Sequence, residues 1–465
     1  MDQFMVQLSD LVAKASDFVW NSVLLYVLVA TGILFSIRLG FIQVRRFGEG
    51  WKRMFGGFKL FGKKADKDGM SSFQAVATSI AAQVGTGNIT GCATALLAGG
   101  PGAIFWMWLA AFFGMSTIYG EAVLAQKYKT RDSTGAVIGG PVYYMRAAFK
   151  GGFGKFLAVF FSIAIILALG FMGNMVQANS ISNAFKNAFG VPTVVVGVIV
   201  AIVAGFIFLG GVTRIASVTE KIVPVMAIIY IIGSLILLIA HIGAIPNAFR
   251  MIFVGAFSPK AILGGAVGIT IKQAMRYGVA RGLFSNEAGM GSTPHAHAIA
   301  KVNKPDDQGI VAMICVFIDT FIVLTLTALV MITSGALNVN DIAASPTADA
   351  MAQAAFSSTF GTFGNMFVAI CLFFFAFSTI IGWYFFGEQN VKYLFGKRGP
   401  VAVKVYAAIV VICVVIGSTL KVDLVWNLAD FFNGVMALPN LIALIALSGV
   451  VVQLSKDRDN TTLHK

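Results

Sequence analysis

The sequence predicts an all-α integral membrane protein with eleven transmembrane helices. A leading helix precedes two inverted halves of five, with the N-terminus outside and the C-terminus inside. Three observations carry the prediction. First, 58% of the 465 residues are hydrophobic and only 12% charged, far from the roughly 25% charged of soluble domains. Second, the apolar residues gather in stretches long enough to cross a hydrocarbon core, which takes about 20 residues as helix. Third, glycine and polar residues interrupt two of those stretches at matching positions in the two halves.

The stretches run 18–38, 71–98, 102–126, 156–186, 193–212, 222–242, 262–285, 309–334, 362–387, 400–420 and 424–452. The first is too long for a signal-peptide core. It follows Asp2, Asp10 and Asp17 instead of a basic region and meets no small-residue cleavage site, so it is expected to stay as a helix. Residues 71–242 then form the first five-helix repeat, 262–452 the second, and 453–465 a short cytoplasmic tail. The longest loop, 39–70, carries Arg45, Arg46, Lys52, Arg53, Lys63 and Lys64 and is expected to be an amphipathic surface segment. Taking the N-terminus as outside puts 26 of the 34 Lys and Arg in inside segments, which fixes the orientation. The net charge of +14 is then an attraction to the cytoplasmic leaflet of the lipid bilayer, and no nucleic-acid partner is expected.

Two helices, one and six of the ten that follow the leading helix, are expected to be broken. The first contains Ala81-Ala82-Gln83-Val84-Gly85-Thr86-Gly87-Asn88 near mid-span, where each glycine costs about 1 kcal/mol of helix propensity against alanine. The second is expected to break at Lys272-Gln273-Ala274-Met275-Arg276-Tyr277-Gly278. Paired broken helices in inverted halves present N–H groups to a substrate carboxylate and C=O groups to a cation near the bilayer midplane. The function this predicts is ion-coupled transport of a small molecule.

Other polar groups inside the spans are weighed against that site. Asn174 and Gln177, three apart on helix three, either line a pocket or bond between helices. Ser378, Thr379 and Trp383 bring two hydroxyls and an indole to helix eight, although hydroxyls often bond their own backbone. Asp319 lies mid-way along helix seven, where a carboxylate costs about 2.5–3.5 kcal/mol on insertion scales. It is expected to face the interior, serving the coupling ion or pairing with a residue such as Arg276. Glu121 reads as structural, His295 and His297 as surface packing, and Glu220, Glu287 and Glu388 as solvated or capping charges at inner helix ends.

Several classes are excluded. The four cysteines lie in apolar runs without CxxC spacing and read as core thiols. No Walker motif occurs, so a primary pump would need a partner. The Gly85-x-Gly87 pair follows an apolar helix and lacks a third glycine, unlike a dinucleotide fingerprint. No constellation for an enzyme or a cofactor is present. A channel and a substrate-sensing receptor are the competing classes, the receptor disfavoured by the absence of a sizeable cytoplasmic domain.

The strings Gly85-Thr86-Gly87-Asn88-Ile89, Gly99 to Trp108, Gly139-Gly140-Pro141, Arg281 to Ser292 and Gly382-Trp383 resemble the alanine or glycine:cation symporter family of prokaryotes over nearly the whole chain. The resemblance implies the leucine-transporter-type fold, a multi-pass protein of the prokaryotic inner membrane, and symport of a small neutral amino acid with Na+. Alanine and glycine are the implied substrates; D-alanine and glutamine stay open. It also implies that the N–H groups of Thr86 and Gly87 hold the substrate carboxylate. The carbonyls of Ala81 and Val84 with the hydroxyls of Ser378 and Thr379 would hold Na+, hard oxygen donors that suit this ion. Asn88 would match the amide of a second sodium site, in which Gln273 replaces a hydroxyl ligand. Gln83, Gly85, Asn174, Gln177, Gln273, Met275, Thr379 and Trp383 complete the substrate-site candidates, with Met275 and Trp383 closing on a methyl side chain.

Overall fold

The computed structural model describes residues 2–56, 65–66, 68–132, 134–263, 269–420 and 422–462. Lys63 and Lys64 of the expected amphipathic segment, residues 264–268 of the seventh stretch and the last three residues of the tail lie outside the described residues. Helix dominates. The named strands among the described residues are two short pairs, Met70–Ser71 parallel to Ala300–Lys301 and Thr130–Arg131 antiparallel to Val137–Ile138. Among the described residues, six helical runs are long and apolar enough to cross a membrane, from Ala103–Lys127 to Val425–Asp457. Rows of exposed apolar residues such as Ile199, Ile202 and Phe206, or Val405, Ile409, Ile412 and Ile416, are the lipid-facing stripes such helices require.

Each of the eleven stretches carries helix, but several boundaries move. The leading helix starts well before residue 18, running Asp2–Val19, through a widened π-type turn at Trp20–Leu24, into Leu25–Arg38. The first part of this helix has partners. Trp20 Nε1 donates to the carbonyl of Asp430 at 3.1 Å, and Asp17 pairs with Arg276. Arg276 is therefore taken up by the leading helix and is not the partner of Asp319. The 39–70 segment does contain a short helix, Phe47–Phe55, and it is tied down by ion pairs from Arg46 to Asp306 at 3.0 Å and from Arg53 to Asp307 at 3.3 Å. Two further helices, Ile245–Phe257 and Met351–Phe360, occupy what reads in sequence as loop.

The first interruption falls where the glycines place it. Helix Ser72–Gln83 ends, Val84 takes a non-helical ψ of 89°, and a wide turn Gly87–Gly91 leads into Cys92–Gly99. The second does not fall at Lys272–Gly278. Ile271–Asn286 is one unbroken helix, because Thr270 and Gln273 form a capping box at its exposed start. Lys272 and Gln273 are polar because they stand at that start. The break comes after Asn286: Glu287, Gly289 and Gly291 adopt left-handed φ of 57°, 92° and 81°, and a short helix Pro294–Ala298 follows. The expected cytoplasmic loop is thus buried from Glu287 through Ala300. His295 and His297 are core residues, bonded to Ser292 and Asn390 and to Gln308 respectively.

The two broken helices lie antiparallel against each other. Ser71 is in register with Lys301, a Cβ on Gly87 would lie 3.0 Å from the Ser285 Cα, and one on Gly99 would lie 3.2 Å from the Ala274 Cα. Close approach recurs beside them: a Cβ on Gly102 would sit 2.2–2.4 Å from the backbone of Gly255 and Ala256, whereas a Cβ on Gly243 would meet no other part of the protein within 4 Å. Gly102→Ala is therefore expected to lower stability by about 1–3 kcal/mol, read as a lower melting temperature in detergent, while Gly243→Ala leaves it unchanged.

Candidate functional site

The first break exposes backbone groups at a depth where every N–H and C=O needs a partner, and the partners converge from four other segments. The Gly85 N–H donates to Asn88 Oδ1 at 2.9 Å, and the Thr86 N–H donates to Gln177 Oε1 at 3.1 Å. Gln177 comes from helix Asn174–Phe189, which enters through a widened turn, Ile166–Gly173. A Cβ at Gly85 would fall 2.3 Å from Thr379 Oγ1 and 3.1 Å from Gln177 Oε1, so only glycine fits there.

On the other side of the break, Ser378 Oγ and Thr379 Oγ1 lie 3.2 and 2.9 Å from the Ala81 carbonyl, and Thr379 Oγ1 lies 3.5 Å from that of Val84. The Phe375 carbonyl is 2.9 and 3.0 Å from the same two hydroxyls. Five oxygens, all neutral, thus gather at one point. The Phe375 carbonyl belongs to the same unbroken helix as the two hydroxyls, three and four residues before them, so they also bond their own backbone.

A second polar group lies at Asn88. Its Nδ2 donates to Asp319 Oδ1 at 2.7 Å, Ser285 Oγ approaches both carboxylate oxygens at 2.9 and 3.1 Å, and Thr320 Oγ1 bonds Oδ2 at 2.8 Å. Asp319 occupies another widened turn, Phe317–Leu324, a distortion frequent at functional sites. Ser285, not Gln273, brings a hydroxyl to this group. Gln273 itself caps a helix start, and Met275 lies 11 residues before the end of that helix, about 16 Å along its axis. Neither reaches the breaks. Phe284 takes the place foreseen for Met275: its ring is 5.6 Å from that of Trp383 at 88°, and a Cβ on Gly173 would fall 2.4 Å from the Trp383 ring.

Side chains bridge the two breaks. Gln83 Nε2 donates to the Asn286 carbonyl at 2.7 Å, and Asn286 Nδ2 to Thr320 Oγ1 at 3.1 Å. In the second break, Glu121 accepts the Gly289 and Gly291 N–H groups, both at 2.9 Å, and Asn440 Nδ2 at 2.7 Å. Glu287 is held by Ser292 Oγ and Trp383 Nε1, buried rather than solvated. Glu220 and Glu388 are also buried, against Gln74 and Lys392. Above Phe284, Arg281 pairs with Asp430 and lies 4.8 Å over the Trp426 ring. Gln83 Oε1, Thr86 Oγ1, Asn174 Oδ1 and Gln177 Nε2 are buried without hydrogen-bond partners. These four atoms lie on the break and on the helix that supplies Gln177.

A family model described as the sodium:alanine symporter family matches residues 5–464. The sodium/alanine symporter AgcS of Methanococcus maripaludis is 42% identical over 447 residues, 96% of each chain. The amino-acid carrier protein AlsT of Bacillus subtilis is 40% identical, covering 97% of this chain and 92% of its own. The probable sodium/glutamine symporter GlnT of the same organism is 40% identical over 97% and 90%. Among solved structures, MhsT in complex with L-phenylalanine has 13% identity and a TM-score of 0.59, covering 85% of this chain and 99% of that one. This likeness bears on the fold, which is of the leucine-transporter type.

Removing Glu121 leaves two buried N–H groups in the second break without an acceptor, each costing about 1–3 kcal/mol. Glu121→Ala is expected to lower the melting temperature markedly, and Glu121→Gln, which keeps one acceptor oxygen, by less.

Proposed function

This chain belongs to the sodium:alanine symporter family, and from that premise we propose that it imports a small neutral amino acid, alanine or glycine, together with Na+. It is a multi-pass membrane transporter with Na+ as coupling ion, and not an enzyme. The observation that carries the substrate reading is the set of orphaned buried polar atoms of Gln83, Thr86 and Gln177 at the first break.

In this reading the substrate carboxylate binds at the N–H groups of Gly85, Thr86 and Gly87, at the positive end of the Cys92–Gly99 half-helix. Gln177 Oε1 on the Thr86 N–H stands in for a carboxylate oxygen. Na+ binds among the Ala81, Val84 and Phe375 carbonyls and the Ser378 and Thr379 hydroxyls, an oxygen set that suits a hard monovalent ion. Asn88 with Asp319 and Ser285 forms the second cation site. Phe284 and Trp383 close a small apolar space over the substrate side chain, which supports alanine over larger residues. Glutamine is the second reading. The amides of Gln83 and Gln177 and the likeness to GlnT favour it.

The eleven helices, as a leading helix and inverted halves 71–242 and 262–452 with the N-terminus outside, then work by alternating access around this fixed site. One zwitterion carried with one Na+ moves one charge inward, worth about 2.3 kcal/mol at 100 mV. With a tenfold Na+ gradient the drive reaches about 3.7 kcal/mol, enough for roughly 500-fold accumulation.

Uptake of labelled L-alanine into proteoliposomes under an inward Na+ gradient tests this, with K+ and H+ gradients as controls and glycine, D-alanine and glutamine as competitors. Accumulation driven by Na+ is expected, with alanine and glycine the strongest competitors. Accumulation of glutamine alone would overturn the substrate, and saturable binding without flux would indicate a receptor. Ser378→Ala and Thr379→Ala are each expected to raise the Na+ concentration for half-maximal uptake about tenfold. An unchanged sodium dependence in both removes them from the ion site. Gly87→Leu is expected to abolish substrate binding in a folded protein, since even a Cβ there meets Ser285 and Phe284.

A further inference from the structure

Three carboxylates, Glu121, Asp319 and Glu287, are fully buried, and among the described residues none is paired with Lys or Arg. They differ in how far their oxygens are satisfied. Glu121 takes two backbone N–H groups and an amide, and Asp319 an amide and two hydroxyls. Among the described residues, Glu287 takes only Trp383 Nε1 and Ser292 Oγ. An ionised carboxyl offers about four acceptor positions, so two remain open on Glu287, in surroundings where an unpaired charge is costly.

Its backbone points the same way. Among the described residues, Glu287 and Phe41 are the non-glycine residues with positive φ. The second break has left-handed residues at 287, 289 and 291, and glycine fills the latter two. Glycine or asparagine would relax position 287 as well, yet a glutamate is held there at a strain of about 1–3 kcal/mol. That strain is offset only if the side chain does something.

Its location says what. Trp383 stands four residues, about 6 Å, beyond Thr379 on one helix face, and Thr379 abuts Gly85. The Trp383 ring meets Phe284, whose own edge would lie 3.2 Å from a Cβ on Gly87. The Glu287 carboxylate is thus fastened to the wall of the site, one residue after the Asn286 carbonyl that binds Gln83. A zwitterion whose carboxylate is held by the first break must place its ammonium a few ångströms away.

We propose that Glu287 is a specificity-determining residue of this site: its carboxylate, carried by the second break and steadied on Trp383, receives the ammonium of the substrate and rejects ligands that lack one. The inference rests on the amino-acid reading above and deepens it.

The test uses the purified full-length protein in saturating Na+ and compares binding of L-alanine with that of L-lactate, in which a hydroxyl replaces the ammonium. The wild type is expected to prefer alanine by two orders of magnitude or more. Glu287→Gln keeps an oxygen for Trp383 and a donor for Ser292 but removes the charge. It is expected to weaken alanine at least tenfold and to collapse the alanine-to-lactate ratio. Glu287→Gly, which relaxes the left-handed backbone and guards against misfolding of the first variant, is expected to collapse the ratio too. Ser292→Ala keeps the charge and is expected to keep the ratio. An unchanged ratio in the folded Gln and Gly variants overturns the proposal, as does an equal collapse in Ser292→Ala, which would make the role one of packing. A wild type that binds no amino acid overturns the underlying reading instead.

Discussion

Inside a bilayer a backbone cannot leave its N–H and C=O groups open, because lipid offers no hydrogen bond. Everything around the site follows from breaking two helices under that constraint. At the first break the neighbours supply acceptors for Gly85 and Thr86 through Asn88 and Gln177, and hydroxyls for the Ala81 and Val84 carbonyls through Ser378 and Thr379. At the second, Glu121 takes the N–H groups of Gly289 and Gly291. Side chains answer at each break what the helix ladder no longer does, and they stop short at Gln83, Thr86 and Gln177, the atoms on which the proposed substrate reading rests.

The same constraint joins ion to substrate. The Val84 carbonyl accepts from the Thr379 hydroxyl, assigned in the proposed reading to the ion, while two residues later the Thr86 N–H donates to Gln177 Oε1, where that reading puts the substrate carboxylate. In that reading one short stretch of unwound backbone serves both, so filling one position orders the other. Carboxylates stand close by: Asp319, on the widened turn Phe317–Leu324, bonds Asn88, and Glu287, on the second break, bonds Trp383, in a low-dielectric interior where a carboxylate favours cations strongly. The ion pair Arg281–Asp430 and the leading helix, bonded through Trp20 to the Asp430 carbonyl, pack against the same helices.

Much of this was legible in the residues. Gly85-x-Gly87-Asn88 inside an apolar run is an expensive sequence unless a break is wanted, and it falls where expected. The oxygen set of Ala81, Val84, Ser378 and Thr379, implied by resemblance, comes together in space. The second break was misread because polarity was taken as the signal for interruption. Lys272 and Gln273 are polar because their helix starts at an exposed cap, whereas the true break follows Asn286. Its sign was the Gly289-x-Gly291 pair, a mirror of the first break's glycines, overlooked because Glu287 and the histidines looked like loop residues. The extra turns of the leading helix were illegible for a different reason: Asp2–Val19 is only weakly apolar, and its helicity is fixed by partners on the last helix and at Arg276, which lie hundreds of residues away in the chain.

The central claim is that one break holds both ion and substrate, which makes their affinities reciprocal. Titrating the purified protein with L-alanine at a series of Na+ concentrations, and with Na+ at a series of alanine concentrations, tests it directly. The account predicts that each ligand tightens the other by the same factor, fivefold or more. Alanine affinity independent of Na+ would contradict it.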